Sequence, residues 1–255
     1  MISLHNPFKE RMHNGEVLFG LWAGLGSAYA TEVIAGSGFD WILIDSEHSP
    51  ADLENVLGQL QAIAPYSTSA VVRVPWNDMV TIKRYLDIGA QTVLIPYVQT
   101  ADEARAAVAN TRYPPHGVRG LALNTRANRF GRIPGYAQSA NEEICVVVQI
   151  ETPLALENLE EIAEVDGVDA LFIGPSDLHA SMGKRGITSD PEVMDLIDDA
   201  IQRITRTGKT AGVFAPIEEN ARRWLDKGAR VVAVGADIGI LSRGSDNLLA
   251  RFREN

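Results

Sequence analysis

The stretch Ile144-Cys-Val-Val-Val-Gln-Ile-Glu-Thr-Pro153, "ICVVVQIETP", is five apolar residues in succession followed by alternating polar and apolar ones. A strand with one wet face alternates from its first residue, whereas a strand covered on both faces reads as an unbroken apolar run. This run is therefore a strand of a parallel sheet with helices on both sides. Seven more short apolar runs resemble it: Val17–Trp22, Trp41–Asp45, Ala70–Val74, Thr92–Pro96, Ala170–Gly174, Thr210–Phe214 and Val231–Gly235. Between them apolar residues recur at helical spacing, as in Leu53, Val56, Leu57, Leu60 and Ile63, or Leu154, Leu156, Leu159 and Ile162. Eight strands alternating with helices over 255 residues predict an α/β fold, a (β/α)8 TIM barrel forming a single domain over residues 1–255. An open doubly wound sheet is the alternative, weakened because "GLWAGLGSAYA" after the first strand spaces Gly20, Gly24 and Gly26 unlike a dinucleotide-binding loop. No repeat, low-complexity tract or Pro/Ser-rich linker divides the chain. The one long irregular insert, Arg119 to Glu143, reads as a substrate lid or a subunit contact.

Composition narrows the function. A net charge of −10 disfavours a sequence-independent grip on nucleic acid or on an anionic membrane, and points to a small-molecule partner. The single cysteine, Cys145, lies inside the opening apolar run, so it reads as a small buried hydrophobe without an internal disulfide partner. No uncharged apolar run approaches the roughly 20 residues that span a bilayer, and the N-terminal residues lack a signal-peptide pattern. The expectation is a cytoplasmic protein.

In a barrel of this kind the carboxyl ends of the strands form the mouth where chemistry is placed. Sorting polar residues by that rule brings together the Asp45-Ser-Glu-His48 run after strand two, Arg73 in "VVRVP", Gln149 and Glu151 in the opening stretch, and Asp177 in "FIGPSDL". Gln149 and Glu151 are two apart, so they share the face opposite to Val148 and Ile150. A buried carboxylate is costly without a partner, and a divalent cation is an economical one for Glu151 and Asp177. The structural alternatives are an ion pair between Glu151 and Arg73, and Asp177 as an ordinary helix cap. His48 alone would be an ordinary loop histidine; a carboxylate pair, an arginine and a histidine at one rim together favour a site.

With these residues in view, "FDWILIDSEHSP", "VVRVP", "RYLDIGAQTVLIPYVQTADEA", "RYPPHGVRG", "VQIETPLALENLEEIAEVDGVDALFIGPSDLHASMG" and "GARVVAVGADIGIL" resemble the HpcH/HpaI aldolase family, in particular its 4-hydroxy-2-oxoheptanedioate aldolase branch. The resemblance covers nearly the whole chain. It implies a class II, metal-dependent pyruvate aldolase that cleaves or forms 4-hydroxy-2-oxo acids. It also implies a (β/α)8 barrel whose C-terminal helix is exchanged between subunits of a homohexamer, a trimer of dimers. Residue by residue, it implies Glu151 and Asp177 as ligands of Mg²⁺, Mn²⁺ or Co²⁺, with Zn²⁺ a further candidate. His48 is implied as the general base, Arg73 as the group that stabilises the enolate, and Asp87 as the partner raising the basicity of His48. Gln149 and the Gly174-Pro-Ser176-Asp177 turn would hold the 2-oxo acid, pyruvate or a relative such as hydroxypyruvate.

These residue types suit the chemistry, because carbon–carbon cleavage beside a ketone passes through an enolate whose negative charge must be held. A Schiff-base mechanism needs a lysine inside the barrel. The five lysines, Lys9, Lys83, Lys184, Lys209 and Lys227, all fall away from the predicted strand ends. A CoA-ester lyase of the malyl- or citramalyl-CoA kind, and a non-catalytic barrel binding protein, are the other classes considered. Trp22 and Phe214 are expected as an apolar wall over the aldehyde, with ordinary core packing as the bland alternative. Arg126, in the insert, is expected to meet the aldehyde's distal group in its own or a neighbouring subunit's site, although Ala122 stands where the family commonly has glycine. His179 is read as facing solvent or a subunit contact, and "GADIG" (residues 235–239) as an anion-binding helix start or simply a tight turn.

Overall fold

The computed structural model describes residues 4–253. Its strands are β1 (Leu18–Ala23), β2 (Trp41–Asp45), β3 (Ser69–Arg73), β4 (Thr92–Ile95), β5 (Cys145–Ile150), β6 (Ala170–Ile173), β7 (Thr210–Phe214) and β8 (Val231–Ala236). Each lies within one residue of its expected bounds. All pair in parallel in sequence order and β8 pairs with β1, closing a TIM barrel. The helices are α1 (Pro7–His13), α2 (Ala28–Ala35), α3 (Leu53–Ile63), α4 (Met79–Asp87), α5 (Ala101–Thr111), α6 (Tyr136–Glu143), α7 (Pro153–Glu157), α8 (Leu159–Ala163), α9 (Pro175–Ser181), α10 (Pro191–Arg206), α11 (Glu218–Lys227) and α12 (Asp237–Arg253).

Side chains of each strand alternate between two cores, as the pleat requires. Val146, Val148 and Ile150 of β5 pack outward with Ile44, Val72 and Leu171 against the helices. Cys145 and Val147 point inward with Leu43, Val71, Leu94 and Phe172. The inward parity continues to Gln149 and Glu151, so the polar tail of β5 faces the barrel axis. Cys145 is fully buried, and burial pushes its thiol well above the usual range. Phe8 and Met12 of α1 join the inner core and close the amino-terminal end, Phe8 meeting the Trp41 ring edge-on at 6.0 Å. Trp41 fits because residue 20 is glycine: a Cβ there would stand 2.1 Å from the indole.

The insert after Arg119 does not cover the mouth. It leaves α5 and returns to β5 at the amino-terminal end, forming α6 and a small apolar cluster of Tyr113, Tyr136 and Ala140 with Leu4, Ala127 and Ile133. Of the two expectations for it, the lid is not met at this chain's own mouth, because a segment joining the end of a barrel helix to the start of the next strand stays at the end where strands begin; the subunit contact is the expectation that this placement leaves.

Candidate active site

Asp45 and Arg73 end neighbouring strands as register partners. Both are nearly buried, at 3% and 6% exposed. Arg73 Nε donates to Asp45 Oδ1 at 2.9 Å and Nη2 to Oδ2 at 2.7 Å, a bidentate pair. Trp22 Nε1 donates to the same Oδ2 at 3.2 Å, and the indole face lies 4.9 Å from the guanidinium carbon. Asp45 Oδ1 also accepts the backbone N–H groups of Glu47 and His48, at 3.0 and 3.3 Å, which turns the chain sharply after β2. Burial opposes the charge of Asp45, but these donors outweigh it and hold the carboxyl below the usual range. Burial likewise works against the Arg73 charge and is outweighed by Asp45, Glu47 and Glu151, so its pKa is raised.

The turn delivers Glu47 and His48 to the rim. Glu47 Oε2 stands 3.0 Å from Arg73 Nη1, an ion-pair contact without hydrogen-bond alignment, so Oε2 has no donor. The His48 imidazole is 64% exposed, with Nε2 3.9 Å from Glu47 Oε1. Glu151, the residue after β5, is 3% exposed. Its Oε1 accepts the Tyr97 N–H at 2.7 Å, and its Oε2 accepts Gln149 Nε2 at 2.5 Å. Tyr97 adopts φ 56°, a left-handed conformation uncommon for a tyrosine, in the loop after β4. Nothing in the sequence signalled Tyr97, because it acts through a backbone amide. Gly174 is fixed by the same crowding: a Cβ there would lie 2.7 Å from Gln149 Nε2 and 2.9 Å from Glu151 Oε2.

Asp177 stands in the first turn of α9, beside an exposed Ser176. Burial, and then the charge of Asp177, push Glu151 up to about 7, against the Tyr97 N–H and Arg73. Glu47 is also raised, first by burial, with the charges of Asp45 and Asp177 adding to it. Three carboxyls thus crowd one rim where Arg73, the one buried cation there among the described residues, is held by Asp45 and also contacts Glu47. Gln149 Oε1 is buried there without a partner. Excess negative charge, an orphaned carbonyl oxygen and two carboxylates close enough for the charge of Asp177 to raise Glu151 fit a hard divalent cation. Among the described residues no group of three Asp, Glu, His or Cys side chains forms a closed metal cage, so water or substrate oxygens would complete the coordination.

Trp22 packs on Phe214 at 5.1 Å and on Phe172 at 5.9 Å, forming an aromatic floor with its polar edge on Asp45. Two expected members are elsewhere. Asp87 ends α4, which carries the chain from the mouth back to the amino-terminal end, and it binds Arg119 Nη2 at 2.8 Å. Arg126 donates to Ile88 O at 2.8 Å and lines a cavity of about 860 Å³ with Arg129 and Tyr136 at that same end. Five-residue strands rising about 3.3 Å per residue put the two ends roughly 16 Å apart. Within one chain, therefore, Asp87 does not reach His48, and Arg126 does not reach the mouth. His179 is buried rather than solvent-facing. The start of α12 is not open to an outside anion either: Asp237 itself accepts the N–H groups of Gly24, Leu25 and Ile238 at 2.9, 3.1 and 2.7 Å.

The HpcH/HpaI aldolase/citrate lyase family model matches residues 18–243. The chain belongs to this family. Within it, the chain is 56% identical to a pyruvate aldolase of Rhizobium etli, over 97% of both chains. It is 53% identical to a 4-hydroxy-2-oxo-heptane-1,7-dioate aldolase of Klebsiella pneumoniae, over 99% of this chain and 96% of the other. The crystal structure of an HpcH/HpaI aldolase/citrate lyase family protein from Burkholderia cenocepacia superposes with a TM-score of 0.94 at 39% identity, covering 98% of this chain and 100% of that one. A more distant barrel, the citrate lyase beta subunit of M. tuberculosis complexed with oxaloacetate and magnesium, shares the fold at a TM-score of 0.57 and 17% identity, covering 89% of this chain and 93% of that one.

Proposed function

We propose that the mouth performs class II aldol chemistry: a 4-hydroxy-2-oxo acid is split into pyruvate, or a close 2-oxo acid such as hydroxypyruvate, and an aldehyde, and the reverse. The observation that carries this reading is the convergence of Glu151 and Asp177 beside Arg73, with burial and mutual repulsion raising Glu151 to about 7. Glu151 and Asp177 would hold Mg²⁺, Mn²⁺ or Co²⁺. Such a cation supplies Lewis-acid polarisation of the substrate ketone.

The chain's own groups do the rest. Arg73, immobilised by Asp45, presents fixed positive charge where the ketone oxygen becomes an enolate oxygen. The N–H of Ser176, in the first turn of α9 where a helix leaves its N–H groups without intrahelical acceptors, can take the substrate carboxylate. Gln149 orients Glu151. His48, on an exposed turn, accepts the proton of the C4 hydroxyl as the C3–C4 bond breaks and its electron pair moves into the enolate; a proton then returns to C3 to give the methyl of pyruvate. Trp22 and Phe214 keep water from the apolar side.

A Schiff-base route lacks its amine. Lys9, Lys184, Lys209 and Lys227 are bound to outer partners, and Lys83 lies on α4 beside Gly120. Because Asp87 and Arg126 lie at the far end, any part they take in basicity at His48 or in aldehyde recognition comes from a neighbouring subunit. A homohexamer with exchanged C-terminal helices is consistent with α12. Only Asp237 of that helix is buried, while Leu241, Leu248, Leu249 and Phe252 face outward. No helix among the described residues is long and apolar enough to cross a membrane. The lone buried thiol suits the cytoplasm.

The test is pyruvate release from 4-hydroxy-2-oxo acids with Mn²⁺ or Mg²⁺ added or chelated. Turnover should vanish on chelation, and Glu151→Ala and Asp177→Ala should lose both Mn²⁺ binding and turnover. Full turnover after exhaustive chelation would overturn the proposal.

A further inference from the structure

Glu151 is held by the barrel wall, but Asp177 is not. It rides on α9, seven residues long, whose start carries no side-chain cap bond and only two of whose residues, Leu178 and His179, are buried. A helix this short is not stable by itself and takes its position from its anchors.

His179 is 1% exposed and both ring nitrogens are engaged. Nδ1 lies 2.6 Å from Pro175 O, the first carbonyl of α9, and Nε2 lies 3.3 Å from Asp190 N, at the head of α10. A backbone N–H only donates and a carbonyl only accepts, so the pair of contacts assigns the proton to Nδ1 and the lone pair to Nε2. The imidazole is thus a neutral clamp from the turn bearing Asp177 to the residue immediately before a 16-residue helix packed into the outer core. The intervening segment, residues 183–190, has no regular element. It is drawn onto α9 by Lys184 N to His179 O at 2.8 Å, and closed on itself just before α10 by Lys184 Nζ to Asp190 Oδ2 at 3.0 Å. Ser181 Oγ adds a contact of 3.4 Å to Glu151 O.

We infer that His179 is a positioning residue for the cation site, clamping α9 to the head of α10 so that the Asp177 carboxylate stands at a fixed place relative to Glu151. This rests on the reading of Glu151 and Asp177 as cation ligands. With both nitrogens used by backbone, His179 is not a ligand itself; it acts through helix position. Partners that orient metal ligands from outside typically change metal affinity by about 10- to 100-fold when removed.

The test titrates the intact enzyme with Mn²⁺ alone, without substrate, following free Mn²⁺ by electron paramagnetic resonance. His179→Asn places an amide where Nδ1 was and cannot reach Asp190; His179→Gln places its carbonyl oxygen near the Nε2 position and can accept from the Asp190 N–H. The Asn variant should bind Mn²⁺ about 10- to 100-fold more weakly, and the Gln variant within a few-fold of the parent. A folded Asn variant with parental affinity overturns the inference. So does a folded Gln variant weakened about tenfold or more, which keeps the test decisive if the Asn variant does not fold. Glu151→Ala and Asp177→Ala are run alongside: if they too retain Mn²⁺ binding, it is the cation reading that fails rather than the role of His179.

Discussion

Arg73 and Asp45 end adjacent strands in register and grip each other through two parallel hydrogen bonds of 2.9 and 2.7 Å, so the buried guanidinium is oriented by a carboxylate set in the barrel wall. A lysine cannot reproduce that fork. Arg73→Lys should therefore keep Mn²⁺ affinity within a few-fold and lose about 10²- to 10³-fold in kcat, the range for removing one donor to a developing oxyanion. Steady-state kinetics beside a Mn²⁺ titration checks it; a near-parental kcat would make the pair structural only.

The close approach at residue 174 gives a second expectation. In Gly174→Ala the new methyl would stand 2.7 Å from Gln149 Nε2 and 2.9 Å from Glu151 Oε2, so the Glu151 carboxylate must shift. Mn²⁺ binding should weaken by about tenfold or more, with far-UV circular dichroism unchanged. Unaltered binding would show that Glu151 does not need its observed place.

Protons and cation should compete at Glu151. Its carboxyl is raised from the ordinary 4.5 to about 7, chiefly by burial and then by Asp177. The metal-free fold therefore keeps a proton that the unfolded chain gives up; this contribution to stability is complete below about 4.5 and is lost as pH rises through about 7. Metal binding must expel that proton, so affinity should fall roughly tenfold per pH unit below 7 and level off above it. Calorimetry in buffers of different ionisation enthalpy should find about one proton released at pH 6 and nearly none at pH 8. Glu151→Gln should abolish both the release and the binding.

His48 separates proton transfer from enolate stabilisation. Decarboxylation of oxaloacetate reaches the same enolate without a hydroxyl proton to remove. In His48→Ala, aldol cleavage should fall by about 10²- to 10⁴-fold while decarboxylation stays within a few-fold. Equal losses in both reactions would deny the histidine a role as base.

The barrel is legible because the apolar runs state two-sided burial, and strand parity by itself aims Gln149 and Glu151 inward. Which end of the barrel a helix carries a residue to is less legible. Asp87 follows Arg73 closely in sequence, but α4 leads away from the mouth, so the distance grows with each turn. The insert likewise carries Arg126 to the far end, where it can serve only a neighbouring subunit's site. The burial of His179 is not legible, because a histidine two positions after Asp177 carries no sign of the carbonyl and amide that enclose it. Tyr97 contributes a backbone N–H, and backbone donors leave no mark in residue type.

The most direct measurement of the central claim is hydrogen–deuterium exchange at the methyl group of pyruvate in D₂O, followed by proton NMR with enzyme and no aldehyde. It reports enolate formation alone. The account predicts exchange with Mn²⁺ or Mg²⁺ present, none after exhaustive chelation, and recovery when the cation is returned. Exchange continuing undiminished in the chelated enzyme would contradict it.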